Sequence, residues 1–299
     1  TRSGYLKRTS PRSYNASTPE ELGKRDDDRA ILIAPAKTTQ HLLIFTNLGN
    51  VIYRPIHELT DIRWKDIGEH LSQTLTNFAT EEEVLYAEII DDFTHETYFA
   101  VTKQGQIKRV DRTEFQPWRS YKTKSAKYAK LKGDGDQVIA MAPIKLDQVM
   151  VITEKGYALH FSIEEVPVVG SKAAGVKAIN LKDGDTVQSA FIANTKSFFI
   201  LTQRGSLKRM ALDDIPLAKR AGRGLQVLRE LKSKPHRVFL AGPVLSDANT
   251  QDLDLFSTEV QESDDQQILE VMSKTGKLEQ VNLVELGLSE RTSNGSFIS

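Results

Sequence analysis

A short signature returns six times along this chain: Thr or Ser, two variable residues, then Gly. It reads Thr1-Arg2-Ser3-Gly4, Thr46-Asn47-Leu48-Gly49, Thr102-Lys103-Gln104-Gly105, Thr153-Glu154-Lys155-Gly156, Thr202-Gln203-Arg204-Gly205 and Ser273-Lys274-Thr275-Gly276. The glycines stand 45, 56, 51, 49 and 71 residues apart. A period near fifty residues restricts the chain to repeat architectures, because each unit is one supersecondary module that buries its apolar face only against its neighbours.

Four of these glycines follow runs such as Tyr98-Phe99-Ala100-Val101, Met150-Val151-Ile152 and Phe198-Phe199-Ile200-Leu201. They are too short for a stable helix and rich in strand formers. Gly supplies the positive φ of a tight hairpin. Two residues later the chain is apolar again, at Leu6, Val51, Ile107, Ala158, Leu207 and Leu278. A second glycine stands nineteen residues after the first, at Gly23, Gly68, Gly175, Gly224 and Gly295, with Lys124 there in the third repeat. Residues Ser125–Lys132 align with Gly175–Lys182, and the pairs Gly135-Asp136 and Gly184-Asp185 mark tight turns. Each unit has room for about four strands, the content of a propeller blade. The expected fold is all-β, a six-bladed propeller-like ring, with residues 1–299 as one domain. Either the stretch around Phe297-Ile298 closes the ring, or the first blade is incomplete.

No apolar run approaches a membrane span. The absence of cysteine excludes disulfides and cysteine-based zinc sites and fits a reducing compartment. The initial Thr implies a fragment of a longer protein. Residues 10–29 and 246–267 read as loops or linkers. The formal net charge of zero conceals an asymmetry: no Lys or Arg lies between Val238 and Ser273, a stretch with eight acids. Residues 1–237 therefore hold 37 Lys and Arg against 29 Asp and Glu, a net of +8. A basic body with an acidic insertion points to a polyanionic partner and to something that tempers it.

Lys-Arg pairs recur after the turn in alternate repeats: Lys7-Arg8, Lys108-Arg109 and Lys208-Arg209; the second repeat has Arg54 one place later. Strand side chains alternate between faces. With the residue at Gly+2 apolar, Lys7, Lys108 and Lys208 are expected to point outward and to outweigh their Arg neighbours, unless a bulge after the turn reverses that choice. A second basic set precedes the closing segments: Arg63, Lys65, Arg119, Lys122, Lys124, Lys127, Lys130, Lys172, Lys177, Lys219, Arg220, Arg223 and Arg229. Trp64, Trp118, Tyr121 and Tyr128 are interleaved with it, more as core or blade-interface residues than as base-stacking platforms. Repeating blades would place these cations along one rim, which suits the phosphate backbone of duplex DNA irrespective of its sequence.

The recurrent Thr-x-x-Gly-x-x-Lys-Arg turn, together with Gly175-Val176-Lys177-Ala178-Ile179-Asn180-Leu181-Lys182 and its Gly184-Asp185-Thr186-Val187 continuation, resembles the C-terminal domain of bacterial type IIA topoisomerase A subunits. The resemblance spans essentially the whole chain. It implies a six-bladed β-pinwheel with strands exchanged between neighbouring blades, which binds duplex DNA on its outer rim, bends it and presents the transported segment to the cleavage core. Of the two paralogous branches, gyrase carries a Gln-Arg-Arg-Gly-Gly-Lys-Gly box. Here Asn15-Ala16-Ser17-Thr18-Pro19 stands at that place, and the nearest remnant is Arg220-Ala221-Gly222-Arg223-Gly224. The topoisomerase IV branch is therefore the nearer, with the gyrase wrapping domain as the alternative. The resemblance further implies two partners: the N-terminal cleavage core of the same polypeptide, and an ATPase B subunit in an A2B2 holoenzyme. It places ATP, Mg and the cleaving tyrosine outside this domain, which needs no cofactor of its own. The location it implies is cytoplasmic and nucleoid-associated.

The residues themselves show no active site. His41, His57, His70, His95, His160 and His236 are dispersed, without metal-ligand spacing. Asp91-Asp92 and Asp213-Asp214 read as solvated turn acids. No phosphate-cradling Gly-rich Lys-Ser/Thr loop occurs. A protein-interaction propeller is the competing class, but the Trp-Asp dipeptide that would close its blades is absent. The acidic stretch 246–267 reads first as a solvated surface insertion without a regulatory role; on the DNA-binding reading the alternative is that it discourages DNA from the last blade or competes for the cationic rim.

Overall fold

The computed structural model describes residues 1–182, 184–193, 195–245, 266–272 and 278–298. The sixth turn glycine, Gly276, and residues 246–265 of the acidic insertion lie outside them. In chain order the strands are β1 Tyr5–Leu6, β2 His41–Thr46, β3 Asn50–Pro55, β4 Glu69–His70, β5 Val84–Ile90, β6 Thr97–Thr102 and β7 Gln106–Asp111. They continue as β8 Ala126–Lys127, β9 Val138–Pro143, β10 Gln148–Thr153, β11 Tyr157–Ser162, β12 Val176–Lys177, β13 Val187–Ile192 and β14 Ser197–Thr202. The rest are β15 Ser206–Ala211, β16 Leu225–Gln226, β17 Val238–Pro243, β18 Ile268–Met272, β19 Leu278–Asn282 and β20 Ser296–Phe297.

The four signatures from Thr46 to Gly205 are hairpin turns. In the third repeat the Gly105 amide donates to the Thr102 carbonyl at 2.9 Å, and the Gln106 amide donates to the Thr102 hydroxyl at 3.3 Å. The threonine thus serves the turn with both its backbone and its side chain, and Gly105 takes φ 78°. The Gly-Asp pairs complete these turns rather than making hairpins of their own. Asp136 accepts from the Gln104 amide at 2.9 Å, and Asp185 from the Lys155 amide at 3.0 Å.

Among the described residues, four sheets have four strands, in the orders β5-β2-β3-β8, β9-β6-β7-β12, β13-β10-β11-β16 and β17-β14-β15-β20. Two more, β1-β4 and β18-β19, have two. In every four-stranded sheet the outermost strand comes from the next repeat. Register pairs Val51 with Ala126, Ile107 with Val176, Ala158 with Leu225 and Leu207 with Ser296. This is the strand exchange of a pinwheel. The segment around Phe297 does not reach the first repeat; it completes the fifth-repeat sheet, where the Ile298 amide donates to the Gly205 carbonyl at 2.9 Å.

The core is a set of layers between sheets. Leu43 and Phe45 pack against Tyr98, Val110 and Phe115 of the next repeat, whereas Leu42 and Ile44 pack on the other side with Leu6 and Leu71. Phe99 and Val101 meet Val149 and Phe161, and Met150 and Ile152 meet Phe198 and Ile200. A strand buried on both faces must be apolar at successive positions, which explains the unbroken apolar runs. Residues 10–29 are no linker. They carry a short helix, Pro11–Asn15, and wrap the buried Trp64, whose indole N–H donates to the Thr18 carbonyl at 2.9 Å and whose ring meets Tyr14 edge-on.

The second glycine exists for the exchange. A Cβ on Gly175 would lie 2.3 Å from the Ile107 carbonyl oxygen and 2.8 Å from the Lys108 Cβ, and its φ is +87°. Gly135 has φ +77° with nothing within 4 Å. Gly175→Ala is therefore expected to cost about 3 kcal/mol, strain plus a displaced strand, and Gly135→Ala about 1 kcal/mol of strain alone. Urea unfolding of both variants checks this; equal losses would refute the close-approach account.

Candidate nucleic-acid interface

The lysines expected to point outward are turned in. Lys108 is 1% and Lys208 2% exposed. The Lys108 ammonium donates to the carbonyls of Tyr128 and Gly170 at 2.8 Å and of Ser171 and Ala173 at 3.0 Å. Lys208 donates to Arg291 and Ser293 at 2.8 Å and also to Val227. Lys7 reaches the Trp64 and Asp66 carbonyls at 2.5 and 2.6 Å. Both faces of these strands are covered by neighbouring sheets, so the side opposite the apolar Gly+2 residue meets the next repeat instead of water. Each lysine clasps the loop that carries the exchanged strand.

The arginines of this set are held likewise. Arg54, 8% exposed, donates to the carbonyls of Tyr53 and Tyr121 at 2.8 Å. Arg109 donates to the Val166 carbonyl at 2.6 Å and pairs with Glu164 at 2.8 Å. Arg209 donates to Ser197 Oγ at 2.7 Å and the Val284 carbonyl at 2.6 Å. Arg8 is half-buried, its backbone bridging to Asp61. Lys7, Arg54, Lys108, Arg109, Lys208 and Arg209 thus join repeats, and their assignment to an exposed rim is corrected.

The second basic set behaves differently. The loops bearing it touch one another in sequence around the outer perimeter. The Thr76 amide donates to the Thr123 carbonyl at 2.9 Å, and Asn77 exchanges two hydrogen bonds with Ser125. The Lys130 amide donates to Ala173 at 3.4 Å, and the Asn180 amide to Gly222 at 2.8 Å. Arg291 donates to the Gln226 carbonyl at 2.7 Å. Along this track Arg119, Lys124, Lys130, Lys172, Lys177, Lys219 and Arg229 are exposed, with no ion pair among the described residues. Lys127 is also exposed and donates to the Leu48 carbonyl at 3.0 Å. Others are partly occupied. Arg63 pairs with Asp66, Lys65 with Glu21 and Lys122 with Glu58, at 2.8, 2.6 and 3.0 Å. Arg220 braces the Lys177 carbonyl at 2.5 Å, and Arg223 stacks on Tyr157 at 3.9 Å.

The interleaved aromatics belong to the scaffold: Trp64 and Tyr128 are buried, and Trp118 and Tyr121 pack on the core beneath the third-repeat loop. Cations that sequence reasoning passed over lie beside the hairpin turns, at Lys103, Lys132, Lys155, Arg204 and Arg237. The Lys103 amide meets the Gln137 carbonyl at 2.7 Å, and the Arg204 guanidinium the Lys234 carbonyl at 2.8 Å, so turn and returning loop form one surface. For Lys103, Lys155 and Arg204 the signal was present in the variable positions of the signature itself. Asp91, Asp92, Asp213 and Asp214 are exposed, and no cluster of His, Asp and Glu suited to a metal occurs among the described residues. What this surface can do is bind an extended polyanion.

Comparison with known proteins bears on the family and the fold. A family model described as the DNA gyrase C-terminal domain, a β-propeller, matches residues 40–91, 96–145, 147–194 and 196–244. The A subunit of DNA topoisomerase 4 from Streptococcus pneumoniae is 66% identical over 300 residues, which cover all of this chain and 36% of that protein. Its counterpart in Bacillus subtilis is 38% identical, over 99% of this chain and 34% of that protein. The chain thus spans about a third of the length of these relatives. The crystal structure of the C-terminal domain of DNA topoisomerase IV superposes with a TM-score of 0.87 at 35% identity, covering 100% of this chain and 86% of that one. The DNA gyrase A C-terminal domain, at 21% identity and a TM-score of 0.64, shares the fold over 88% of this chain and 79% of its own.

Proposed function

The chain belongs to the DNA gyrase C-terminal domain family of β-propellers, and from that premise we propose that it is the duplex-DNA-binding and DNA-bending domain of a topoisomerase IV A subunit. The observation that carries this reading is the unbroken track of perimeter loops, hydrogen-bonded one to the next and bearing exposed Lys and Arg. Cations spaced along a curve engage phosphates without reading bases, and they reward a duplex that follows the curve. The bend costs on the order of 1–6 kcal/mol, repaid by further phosphate contacts.

The topoisomerase IV branch is favoured by the identities to its A subunits and by the lack of the gyrase box after Tyr14. On this reading the domain does no chemistry. It hands the transported segment to the cleavage core of its own polypeptide, within an assembly with an ATPase subunit that relaxes supercoils and separates linked duplexes in the bacterial cytoplasm.

The test is a gel-shift and bending assay of this chain on linear duplex DNA over a salt series. Neutralising about five phosphates gives a slope of log K against log salt of roughly −4.5, with little dependence on sequence. A flat salt response, or binding without curvature, would overturn the reading.

A further inference from the structure

The two sides of the sheet array differ in charge. The hairpin turns and returning loops are mixed in charge, with Lys103, Lys132, Lys155, Lys182, Arg204 and Arg237 beside Glu81, Glu83, Asp134, Glu154 and Glu230. At the other end of the same hairpins, the short 3-10 helices carry Glu58, Glu114, Glu164, Glu165, Asp213 and Asp214. A polyanion on the rim is therefore repelled more strongly from the helix side than from the turn side.

Where rim and turn side meet, between the fourth and fifth repeats, there is a cleft of about 180 Å³. Lys155, Arg223, Arg229 and Arg237 line it, against one carboxylate, Glu230. Arg223 is fixed over the Tyr157 ring at 3.9 Å, with Nη1 on the Asn180 carbonyl at 3.3 Å. Arg237 is steadied by the His236 carbonyl at 2.9 Å, and the Arg229 backbone by Asn294 at 2.8 Å. His236 accepts from Arg204 through Nε2 at 3.2 Å, so its ring is neutral there. Burial, then the neighbouring Arg204, lowers its basicity. The Arg223 and Arg237 guanidiniums are held before any ligand arrives, whereas Arg229 is placed through its backbone; this arrangement favours charge-assisted contacts to phosphate. The larger cleft, near the first two repeats, has the opposite balance: Asp27, Asp28, Glu82 and Glu83 face Arg2 and Arg25, and Arg2 is already paired with Glu83 at 2.7 Å.

We propose that the cleft between the fourth and fifth repeats seats one backbone phosphate of the bound duplex and so fixes the DNA path toward the turn side of the rim. The inference rests on the DNA-binding reading and adds an anchor point and a direction to it.

The experiment compares this chain with Arg229→Gln/Arg237→Gln, with Arg229→Lys/Arg237→Lys, and with Lys196→Gln on the acidic side, using a labelled linear duplex over a salt series. Losing the one phosphate contact makes the slope shallower by about 0.9 and lowers affinity about eightfold at ~0.1 M salt. The lysine pair keeps the slope, because charge is retained, and Lys196→Gln matches the unaltered chain. If the glutamine pair binds like the unaltered chain, the phosphate seat is wrong while the DNA-binding reading stands. If both pairs lose the slope equally, the loss reflects damage to the fold and the seat is likewise rejected. A chain that fails to bind DNA at all would instead remove the underlying reading.

Discussion

Lys108→Met is expected to destabilise the domain by about 3 kcal/mol or more, although it replaces a charged side chain by an apolar one of similar length. Four carbonyl oxygens, from Tyr128, Gly170, Ser171 and Ala173, converge on the ammonium within 3.0 Å. Methionine leaves all four without that donor in a place where only 1% of the residue reaches solvent. An unsatisfied buried acceptor costs about 1–3 kcal/mol, and loop relaxation recovers part of the sum. Burial lowers the basicity of Lys108 to about 8 and of Lys208 to about 7. The carbonyl ring works against that, since only the ammonium form has three N–H donors for it. Urea unfolding settles the matter, with Lys177→Met as the comparison. Lys177 is exposed on the neighbouring exchanged strand, and its loss is expected to change stability by about 0.5 kcal/mol or less. A Lys108→Met domain as stable as the Lys177→Met one would mean that the clasp holds nothing.

The same residue marks the boundary of what the sequence discloses. The fifty-residue period, the hairpin at each Thr-x-x-Gly and the all-β character are local properties, written in a few contiguous residues, and they emerge directly. The direction of Lys108 is not local. Alternation along β7 places Ile107 and Lys108 on opposite faces, but which face meets water depends on how sheets stack, and here neither does. Exchange was expected from the family resemblance alone, because the residues themselves do not display it. Val176 and Lys177 make a two-residue strand, too short to read from composition, and they pair with Ile107 and Gln106, some seventy residues earlier. Its trace in the sequence was the second glycine, whose purpose became evident only from the Ile107 carbonyl above it. The third repeat shows the same rule by exception. Ser125 takes the place of Gly175, one residue after Lys124, and Asn77 holds it by two hydrogen bonds.

Clasp and track are parts of one device. Lys108 grips the carbonyls of 170–173, and that segment bears the exposed Lys172 and accepts the Lys130 amide through Ala173. The recurrent buried lysine thereby sets where the exposed ones stand. This explains why the Lys-Arg pairs that follow the turns are closed to a ligand while the loop cations are open to one. A rim built on flexible loops would lose entropy on ordering against DNA; one clasped from beneath loses little.

Neutralising the four perimeter lysines Lys124, Lys130, Lys172 and Lys177 with glutamine is expected to have the largest effect on binding. All four are exposed and free of ion pairs among the described residues, so their removal leaves no buried partner and the fold intact. Lys122 is omitted because Glu58 holds it at 3.0 Å, and its loss would expose that carboxylate to the DNA. Each phosphate contact contributes a slope of about −0.9, hence about eightfold in affinity at ~0.1 M salt. Four together make the slope shallower by about 3.6 and weaken binding on the order of 10³-fold, equally for unrelated sequences. The buried set supplies the contrast: Lys208→Met lowers the midpoint of urea unfolding, yet below that transition it leaves the salt slope nearly unchanged, because its ammonium never faces solvent. If the quadruple variant kept its slope while the buried substitution reduced it, the cations that meet DNA would be the ones beneath the loops, and the perimeter track would have no part in binding.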